Sequence, residues 1–223
     1  MKVLEYIIAI NKYLLFYKQI LFEYVHFFTF AFMEKVYGYY RGIVEAYSLR
    51  VNNLKKKIHL MGTIRLLLVA GMIAAIWFLK DTNGLTLTGG ILLFVIPFII
   101  LMAYHNFLSK RKAYAEGLIS ASNNELKGLD YDFSAYDGAP DKINGEHSFS
   151  LDLDLFGERS FFQSLNRTVT YPGRERLTDW FLHPLSDKKK ILQRQEAVQE
   201  LSGLTQLRQH FYVTGKLSSG EKK

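Results

Sequence analysis

The sequence predicts a mainly α-helical protein, in which a two-helix transmembrane hairpin precedes an all-α C-terminal part with one short extended segment. Two apolar runs of membrane-spanning length, Leu60–Leu79 and Leu85–Leu108, lie on either side of the polar turn Asp81–Gly84. Hydrophobic residues make up 49% of the 223 residues and aromatic residues 15%, which is high for a soluble protein. Most of the remaining chain has the apolar spacing of helices.

Residues 1–32 predict an amphipathic helix with a wide apolar face. At 100° per residue, the polar residues Glu5, Lys12, Gln19, Glu23 and His26 fall on one side. The segment lacks an uncharged run of about 18 residues, so an interfacial helix is favoured over a spanning one. No small-residue cleavage site of a signal peptide is evident. An alternative is that Met33 is the true start and that residues 1–32 are an over-extended reading of the gene.

Residues 33–59 predict a basic helix, and residues 60–108 predict the transmembrane hairpin. Twenty helical residues cover the roughly 30 Å hydrocarbon core of a bilayer. The first run contains a single charge, Arg65, near one end, and Thr82–Ser109 contains no Lys, Arg, Asp or Glu. Pro97 lies inside the second run, which membrane helices tolerate. The alternative is a buried helical hairpin in a soluble core.

Basic residues bracket the open side of this hairpin and account for much of the net charge of +7. By the positive-inside rule, their side faces the cytoplasm, so both termini are expected there. The expected location is therefore a bacterial inner membrane, with membrane lipid as a partner. Attraction to nucleic acid is the other source of a basic charge balance, but the positions favour the membrane. The flanking residues are Lys55, Lys56, Lys57, Arg65, Lys110, Arg111 and Lys112.

Residues 109–145 predict a helix that leaves the membrane and then an acidic linker. The linker lacks the glycine and glutamate positions of a calcium-binding loop, so a solvated loop is expected rather than a metal site. Ser148–Leu155 alternates apolar and polar residues, which predicts a half-buried strand or extended segment. Asp152 and Asp154 then form its wet face rather than a pair of metal ligands.

Three helices are predicted after this segment. They are Glu158–Leu165, then Gly173–His183 with Thr170 as its cap, then Asp187–Leu201 with Ser186 as its cap. Leu207–Gly215 resembles an interrupted helix. The predicted apolar core of this part contains Leu151, Leu153, Leu155, Phe161, Leu165, Leu177, Trp180, Phe181, Ile191 and Val198.

Four short blocks in this part stand in a recognisable order and spacing. They are Leu153–Leu155, Ser164–Leu177, Trp180–Pro184 and Arg194–Val198. Together they resemble the start of the core, lever-connecting domain of the MutS family of DNA mismatch-repair ATPases. The resemblance covers about His147–Leu201 and identifies residues 146–223 as the truncated start of an all-α MutS-type core domain. Its motif residues are Asp154, Asn166, Arg167, Thr168, Gly173, Trp180, Pro184, Arg194 and Gln195.

The resemblance implies a DNA-binding ATPase only in a longer form, which would use ATP and Mg²⁺ and form a homodimer through its ATPase domain. A phosphate-binding loop needs GxxxxGK[ST], and Gly215-Lys216 is followed by Leu217 with no glycine five residues before it. Residues 1–223 alone are therefore expected neither to bind nor to hydrolyse ATP, and no catalytic, cofactor-binding or metal-binding residue is predicted. The chain is expected to be a fragment of a longer protein.

The family senses mismatches with a Phe-x-Glu motif, and that tripeptide occurs at Phe32–Glu34 and Phe156–Glu158. Neither is expected to act as a mismatch wedge, because the family places the motif in a separate N-terminal domain. The favoured function is the membrane anchor and partial core domain of a MutS-like, mismatch-repair-related protein. The alternative is a small two-span membrane protein with a helical cytoplasmic adaptor and no nucleotide chemistry.

Overall fold

The computed structural model describes residues 2–81, 83–144 and 149–220, with backbone alone for residues 2–30 and 220. No β-strand occurs among these residues, so the prediction of a mainly α-helical chain is confirmed. The predicted polar stripe between Glu5 and His26 lies outside the described side chains. The helices are α1 (Lys2–Leu79), α2 (Gly84–Leu129), α3 (Phe161–Leu165), α4 (Tyr171–Leu182), α5 (Lys188–Gly203) and α6 (Thr205–Gly220), with a 3-10 turn at Pro140–Lys142.

Helices α1 and α2 form one long antiparallel hairpin. Near its closed end the Gly71 backbone approaches the Phe94 ring so closely that an added Cβ would lie 2.6 Å from Cε1. At its open end the Tyr37 hydroxyl donates a hydrogen bond to Asp130. The 46 residues of α2 extend about 70 Å, more than twice the thickness of a hydrocarbon core. Helix α2 continues through Pro97, and α1 runs without a break from Lys2 to Leu79, through the described part of the first predicted segment and through 33–59 and 60–79.

The part of the hairpin beyond the predicted spans is a two-helix stalk, which comprises residues 34–57 of α1 and 109–129 of α2. The stalk buries Val51 and Leu54 on α1 and Ala115, Leu118 and Ala121 on α2. These positions recur at helical spacing, as expected for the facing stripes of two packed helices. In the predicted spans, by contrast, the outward faces of both helices are apolar and exposed.

Helix α6 packs against the stalk, and this contact was not predicted. Val213 is 1% exposed and lies against Leu118 and Ala121 of α2. The Tyr114 hydroxyl and His210 Nδ1 are hydrogen-bonded at 2.9 Å. The expected interrupted helix at Leu207–Gly215 is a continuous helix from Thr205 to Gly220. The C-terminal segment is thereby held to the hairpin.

A second, small hydrophobic core lies between the linker and α3 and α4. Ala139, Leu155, Phe156 and Phe162 are buried in it, and half-buried residues pack around them, namely Phe149, Leu177, Phe181 and Leu182. The core closes where the linker meets residues 156–157. Gly157 N donates to Gly138 O at 2.8 Å, and a Cβ on Gly138 would lie 2.0 Å from Gly157 O. Glycine at position 138 is therefore a steric requirement of this crossing.

The extended segment predicted at Ser148–Leu155 is wrong over its described residues, 149–155. Turns occupy residues 149–154, with Leu155 N donating to Ser150 O at 3.0 Å and Asp154 at a φ of 45°. The chain turns back on itself because no described strand is available to pair with it. Leu155 consequently faces the core, while Leu151 and Leu153 are 51% and 60% exposed.

The predicted core set is only partly correct. Leu155 is buried, and Leu177, Phe181 and Ile191 are half-buried. Trp180 is 41% exposed, and Leu151, Leu153, Phe161, Leu165 and Val198 are also exposed. Helix α5 has no fully buried residue, so the apolar positions along α5 are at most partly covered by residues 149–220.

The predicted cap of α4 is confirmed, whereas the predicted cap of α5 and the predicted start of α3 are corrected. The Thr170 hydroxyl accepts a hydrogen bond from Gly173 N at 3.2 Å, as expected for the cap of α4. At α5 the cap is Asp187 rather than Ser186, because the Asp187 carboxylate accepts from Lys189 N and Lys190 N. A carboxylate at a helix N-terminus interacts favourably with the helix dipole and offsets the unfavourable lysine triplet. Helix α3 begins at Phe161, after the cap Ser160, rather than at Glu158.

Candidate functional site

The motif residue Arg167 joins the C-terminal segment to the stalk. Its Nε and Nη2 donate to the two carboxylate oxygens of Glu125 on α2, at 2.7 and 3.1 Å. Its Nη1 donates to the carbonyl oxygens of Ser164 and Asn166, both at 3.1 Å. The guanidinium also lies 3.6 Å from the centre of the Tyr136 ring. Arginine is suited to this position because its planar fork can pair with a carboxylate and stack on an aromatic ring at once.

Asn166 and Thr168, the neighbouring motif residues, fix the linker beside this ion pair. Asn166 is buried, and its Nδ2 donates to Asp137 O at 2.8 Å. Its Oδ1 accepts from Thr168 N at 2.9 Å and from Thr168 Oγ1 at 2.7 Å. Buried polar groups are costly unless they are paired. The Asn-Arg-Thr block is thus a structural joint rather than a reactive site.

Gln163 belongs to the same joint, although it was not predicted. It is buried, its Nε2 donates to Tyr136 O at 2.9 Å, and its Oε1 accepts from Arg159 N at 2.6 Å. Its own backbone N–H donates to the capping hydroxyl of Ser160 at 3.2 Å. The Ser-x-x-Gln spacing of a helix capping box was the available sequence signal.

Arg174 ties the acidic linker to α4, while the side chains of Asp137 and Asp141 stay 47% and 56% exposed. Arg174 pairs with Asp137 and Asp141 and, at 3.1 Å, with Glu175. Lys142 Nζ lies 2.6 Å from Glu175 Oε2. The hydrogen bond from Arg174 holds the pKa of the Asp141 carboxyl below its usual range. Within the described ranges, no cluster of three or more His, Asp and Glu residues has the geometry of a metal site.

Burial raises the pKa of three tyrosines near the Arg167–Glu125 ion pair. Burial, followed by the nearby Glu125 charge, raises the pKa of the Tyr136 hydroxyl. The same two causes raise the pKa of Tyr40, and burial raises the pKa of Tyr212. All three phenols therefore stay neutral near pH 7, so no buried phenolate opposes the Glu125 carboxylate.

A second pair of motif residues meets at the junction of α4 and α5. The guanidinium of Arg194 lies 3.9 Å from the centre of the Trp180 ring. This stack is at the surface, because Trp180 is one of the exposed aromatic residues. The pair lies apart from the joint around Arg167.

The remaining predicted motif residues do not gather into one site. Asp154 is exposed, and its carbonyl accepts from Phe161 N at 3.1 Å. Gly173 donates its N–H to the Thr170 cap. Pro184 follows the end of α4, and Gln195 is exposed on α5. Their roles are local to the turns and helices that contain them.

The predicted membrane-flanking residues lie on the stalk side of the spans. Lys55, Lys56 and Lys57 are exposed on α1, as are Lys110 and Arg111 on α2. The Arg111 guanidinium lies 4.6 Å from the Phe107 ring centre, and Lys112 pairs with Glu116 at 3.5 Å. Arg65, by contrast, is half-buried between the helices, with its guanidinium 5.3 Å from the Phe98 ring centre.

Neither Phe-x-Glu tripeptide has the geometry of an exposed wedge in a binding cleft. Phe156 is buried in the small core, with its ring centre 5.4 Å from that of Phe162 and 6.3 Å from that of Phe181. Phe32 lies exposed on the outside of the continuous helix α1.

Comparison with known proteins agrees with the resemblance described from the sequence. Residues 146–216 match the family model of MutS domain III. Two curated DNA mismatch repair proteins MutS are similar to this segment. The protein from Anaeromyxobacter dehalogenans (strain 2CP-C) is 49% identical over 65 residues, or 28% of this chain. The protein from Anaeromyxobacter sp. (strain K) is 47% identical over 59 residues, or 25% of this chain.

The chain spans about 7% of the length of these relatives. No solved structure matches it. The predicted resemblance to the MutS family is therefore confirmed for a partial, C-terminal segment. Helices α3 to α5 and most of α6 lie within the matched residues.

Proposed function

We propose that this chain anchors a MutS-like protein to a membrane, with the MutS domain III segment held at the cytoplasmic end of the hairpin. The observation that carries the proposal is the packing of α6 on the stalk. Val213, within the matched segment, is buried against Leu118 and Ala121 of α2. The same helix α2 continues into the second apolar span.

The apolar faces of the hairpin support insertion into a bilayer. Two helices, Ala31–Leu79 and Gly84–Leu129, are long and apolar enough to cross a membrane, and the most apolar window of each has no residue buried inside the protein. A hairpin in a soluble core would be covered by other parts of the chain, and the described residues provide no such cover. A bilayer would cover the exposed apolar side chains, which include Leu66, Leu67, Ile73, Trp77, Phe78, Leu92, Leu93, Ile96, Ile99 and Ile100.

The charges support one orientation of the hairpin. The exposed lysines at positions 55–57 and the basic residues at 110–112 lie on the stalk side of both spans, which the positive-inside rule assigns to the cytoplasm. Arg65 lies about two helical turns further in, from where a long side chain reaches toward the headgroups. The bacterial inner membrane is the location that fits these features.

In the proposed full-length form, DNA binding, ATP and Mg²⁺ binding and dimerisation belong to segments beyond this chain. The similarity to proteins named for DNA mismatch repair supports this assignment. The hairpin would fix the orientation of the domain III segment and its distance from the membrane, because α1 and α2 run from the spans into the stalk without a break.

The absence of cysteine from the sequence permits a direct topology test. Asn83→Cys in the turn and Asp152→Cys in the C-terminal segment each introduce one thiol into the full chain. In intact spheroplasts, a membrane-impermeant maleimide is expected to label Asn83→Cys, whereas Asp152→Cys reacts only after lysis. Labelling of Asp152→Cys from outside, or release of the protein by alkaline carbonate, would contradict the proposal.

The gene sequence after codon 223 distinguishes this proposal from the alternative, which is a two-span adaptor without nucleotide chemistry. A MutS-like protein requires GxxxxGK[ST] downstream, followed by a hydrophobic strand that ends in Asp-Glu. If the reading frame closes without these motifs, the adaptor is the better assignment.

A further inference from the structure

A cavity of about 460 Å³ lies between the stalk and the α5–α6 corner. Its walls are mostly apolar and include Tyr40 of α1, Ala121 of α2 and Leu207 of α6. Its volume is in the range of small-molecule sites, which are typically about 300–1,000 Å³. The cavity lies in the stalk, outside the predicted spans, so occupation by a ligand would not depend on insertion into a bilayer.

The cavity has a cationic mouth. Arg208 is exposed there, and its Nη2 donates to Ser202 O at 3.1 Å. No carboxylate among the described residues lies within ion-pair distance of Arg208. The other charges on the wall, Glu125 and Arg167, neutralise each other through their two-point pair. The net charge that faces the cavity is therefore +1, which suits a monoanion better than a dianion.

Gln209 follows Arg208 in α6 and forms another part of the cavity wall. The Gln209 side chain lines the cavity, and its Oε1 accepts from the Tyr39 hydroxyl at 3.3 Å. Its Nε2 is buried and has no hydrogen-bond partner among the residues that the structure describes. Because this nitrogen has almost no accessible surface, the Gln209 amide closes the wall of the cavity and does not face a ligand.

Aromatic side chains supply the rest of the recognition surface. Tyr40 and Tyr212 line the wall, and Phe211 lies at the exposed edge. Because both tyrosines are neutral near pH 7, they offer ring faces rather than negative charge to a ligand. Aromatic rings favour stacked or edge-to-face contact with another aromatic ring.

We propose that this cavity binds a small aromatic monocarboxylate, whose carboxylate pairs with the Arg208 guanidinium while its ring packs against Tyr40 and Tyr212. A guanidinium presents paired N–H donors that a carboxylate accepts. A phosphate dianion would leave one charge without a counterpart at this site. A ligand held here would contact the stalk and α6 together and would strengthen their packing.

The test uses the full chain in nanodiscs of neutral phosphatidylcholine, with 2-naphthoate as the probe and 2-naphthalenemethanol as its uncharged counterpart. Binding is followed by ligand-observed saturation-transfer NMR, with the signal of empty nanodiscs subtracted. We expect saturable binding of the acid at least tenfold tighter than that of the alcohol. Arg208→Ala should weaken binding of the acid at least tenfold, which corresponds to about 1.4 kcal/mol.

Two further variants make the result specific. Arg176→Ala removes the same charge from an exposed position on α4 and should leave the affinity unchanged. Gln209→Glu retains the size of the side chain but adds a negative charge, and it should weaken binding at least tenfold even if Arg208→Ala loosens the α5–α6 corner. Absence of saturable binding, equal affinity for the alcohol, or an equal loss in Arg176→Ala would overturn the proposal.

Discussion

The Arg167 guanidinium and the Glu125 carboxylate form a two-point ion pair, with N–O distances of 2.7 and 3.1 Å. The residues are 42 positions apart, so the pair joins the matched segment to the stalk across the linker. Their side chains are 30% and 28% exposed. This partial burial places the pair between a surface ion pair, which is worth little, and a fully buried one, whose disruption is costly.

A double-mutant cycle with Arg167→Ala and Glu125→Ala should give a coupling energy of about 1–2 kcal/mol, within the range for residues in direct contact. The measurement is chemical unfolding in detergent, followed by tryptophan fluorescence. The matched control is the exposed pair Arg176–Asp179, whose charged atoms are 3.8 Å apart. Its coupling should stay below about 0.5 kcal/mol. Equal coupling in both cycles would show that the two-point geometry has no energetic role.

The packing of α6 on the stalk requires glycine at position 117. A Cβ added there would lie 2.6 Å from Val213 Cγ1, on a side chain that is itself fully buried. Gly117→Ala should therefore destabilise the contact by about 1–3 kcal/mol through overpacking. The expected sign is opposite to that of an ordinary glycine-to-alanine change in a helix.

Gly42→Ala is the control for this prediction, because no atom lies within 4 Å of its added Cβ. It should stabilise α1 by about 0.5–1 kcal/mol. Hydrogen exchange of the α6 backbone amides reports on the contact, and exchange should accelerate in Gly117→Ala alone. Unchanged protection in that variant would show that α6 tolerates the added methyl group.

The helices could be predicted from the sequence because their signals are local. Apolar run length marks the spans, and a hydroxyl at Thr170 followed by Pro172 marks the start of α4. The alternation at Ser148–Leu155 was misleading, since a strand forms only where a partner strand exists. In the described part of the segment, turns put Leu155 in the core and leave Leu153 exposed.

Long-range contacts could not be predicted from local patterns. Arg167 was identified as a motif residue, but its partner Glu125 lies on α2, 42 positions earlier in the chain. The hydrogen bond between Tyr114 and His210 joins residues 96 positions apart. Trp180 is likewise exposed, although Arg194 of the next helix stacks on its ring.

Insertion of the second span should be sensitive to charge at its outward face. Ile96 is exposed on α2 within the apolar run. A charge at a helix centre raises the insertion cost by about 2.5–3.5 kcal/mol, so Ile96→Arg should reduce the carbonate-resistant fraction of the protein. Ile143→Arg, at an exposed position in the linker, is the control and should leave that fraction unchanged. Equal retention of both variants would argue against a spanning helix.

The ion pair between Arg174 and Asp141 should make stability depend on acidic pH. The hydrogen bond from Arg174 lowers the pKa of Asp141 in the folded chain below the ordinary value of 3.8. The pair therefore contributes stability that is fully present above pH 3.8 and is lost as the pH falls through the lowered folded pKa. Because the Asp141 side chain is 56% exposed, solvent screening should limit the effect to less than about 1 kcal/mol.

The measurement compares denaturant midpoints of the wild type and Asp141→Asn from pH 7 to pH 2. The difference between the two should be constant near neutrality and should disappear at the acidic end. Asp152→Asn removes an exposed aspartate with no ion pair among the described residues, so it should match the wild type throughout. If the denaturant midpoint of Asp141→Asn is lowered by the same amount at every pH, the packing of the Asp141 side chain rather than its charge stabilises the fold.

Any DNA affinity of residues 1–223 should be weak, non-specific and sensitive to salt. Phosphate contacts alone give dissociation constants of roughly 10⁻⁴–10⁻⁶ M at physiological salt, and base reading requires side chains placed in a groove. The exposed lysines at 55–57 and 188–190 are suited to phosphate contacts, which are independent of base sequence. Fluorescence anisotropy with matched and mismatched duplexes should therefore show less than a tenfold preference, and affinity should fall steeply as salt is raised.

Substitution of Phe156 distinguishes weak, non-specific DNA binding from mismatch recognition by the Phe156 side chain. Its ring is buried against Phe162 and Phe181, so it cannot reach a base without opening the small core. Phe156→Ala should cost about 3–5 kcal/mol of stability and leave the ratio of mismatched to matched affinity unchanged. Phe161→Ala, five residues away and exposed, should cost much less. A tenfold mismatch preference, about 1.4 kcal/mol, that disappears in Phe156→Ala but persists in Phe161→Ala would show that the core opens to read DNA.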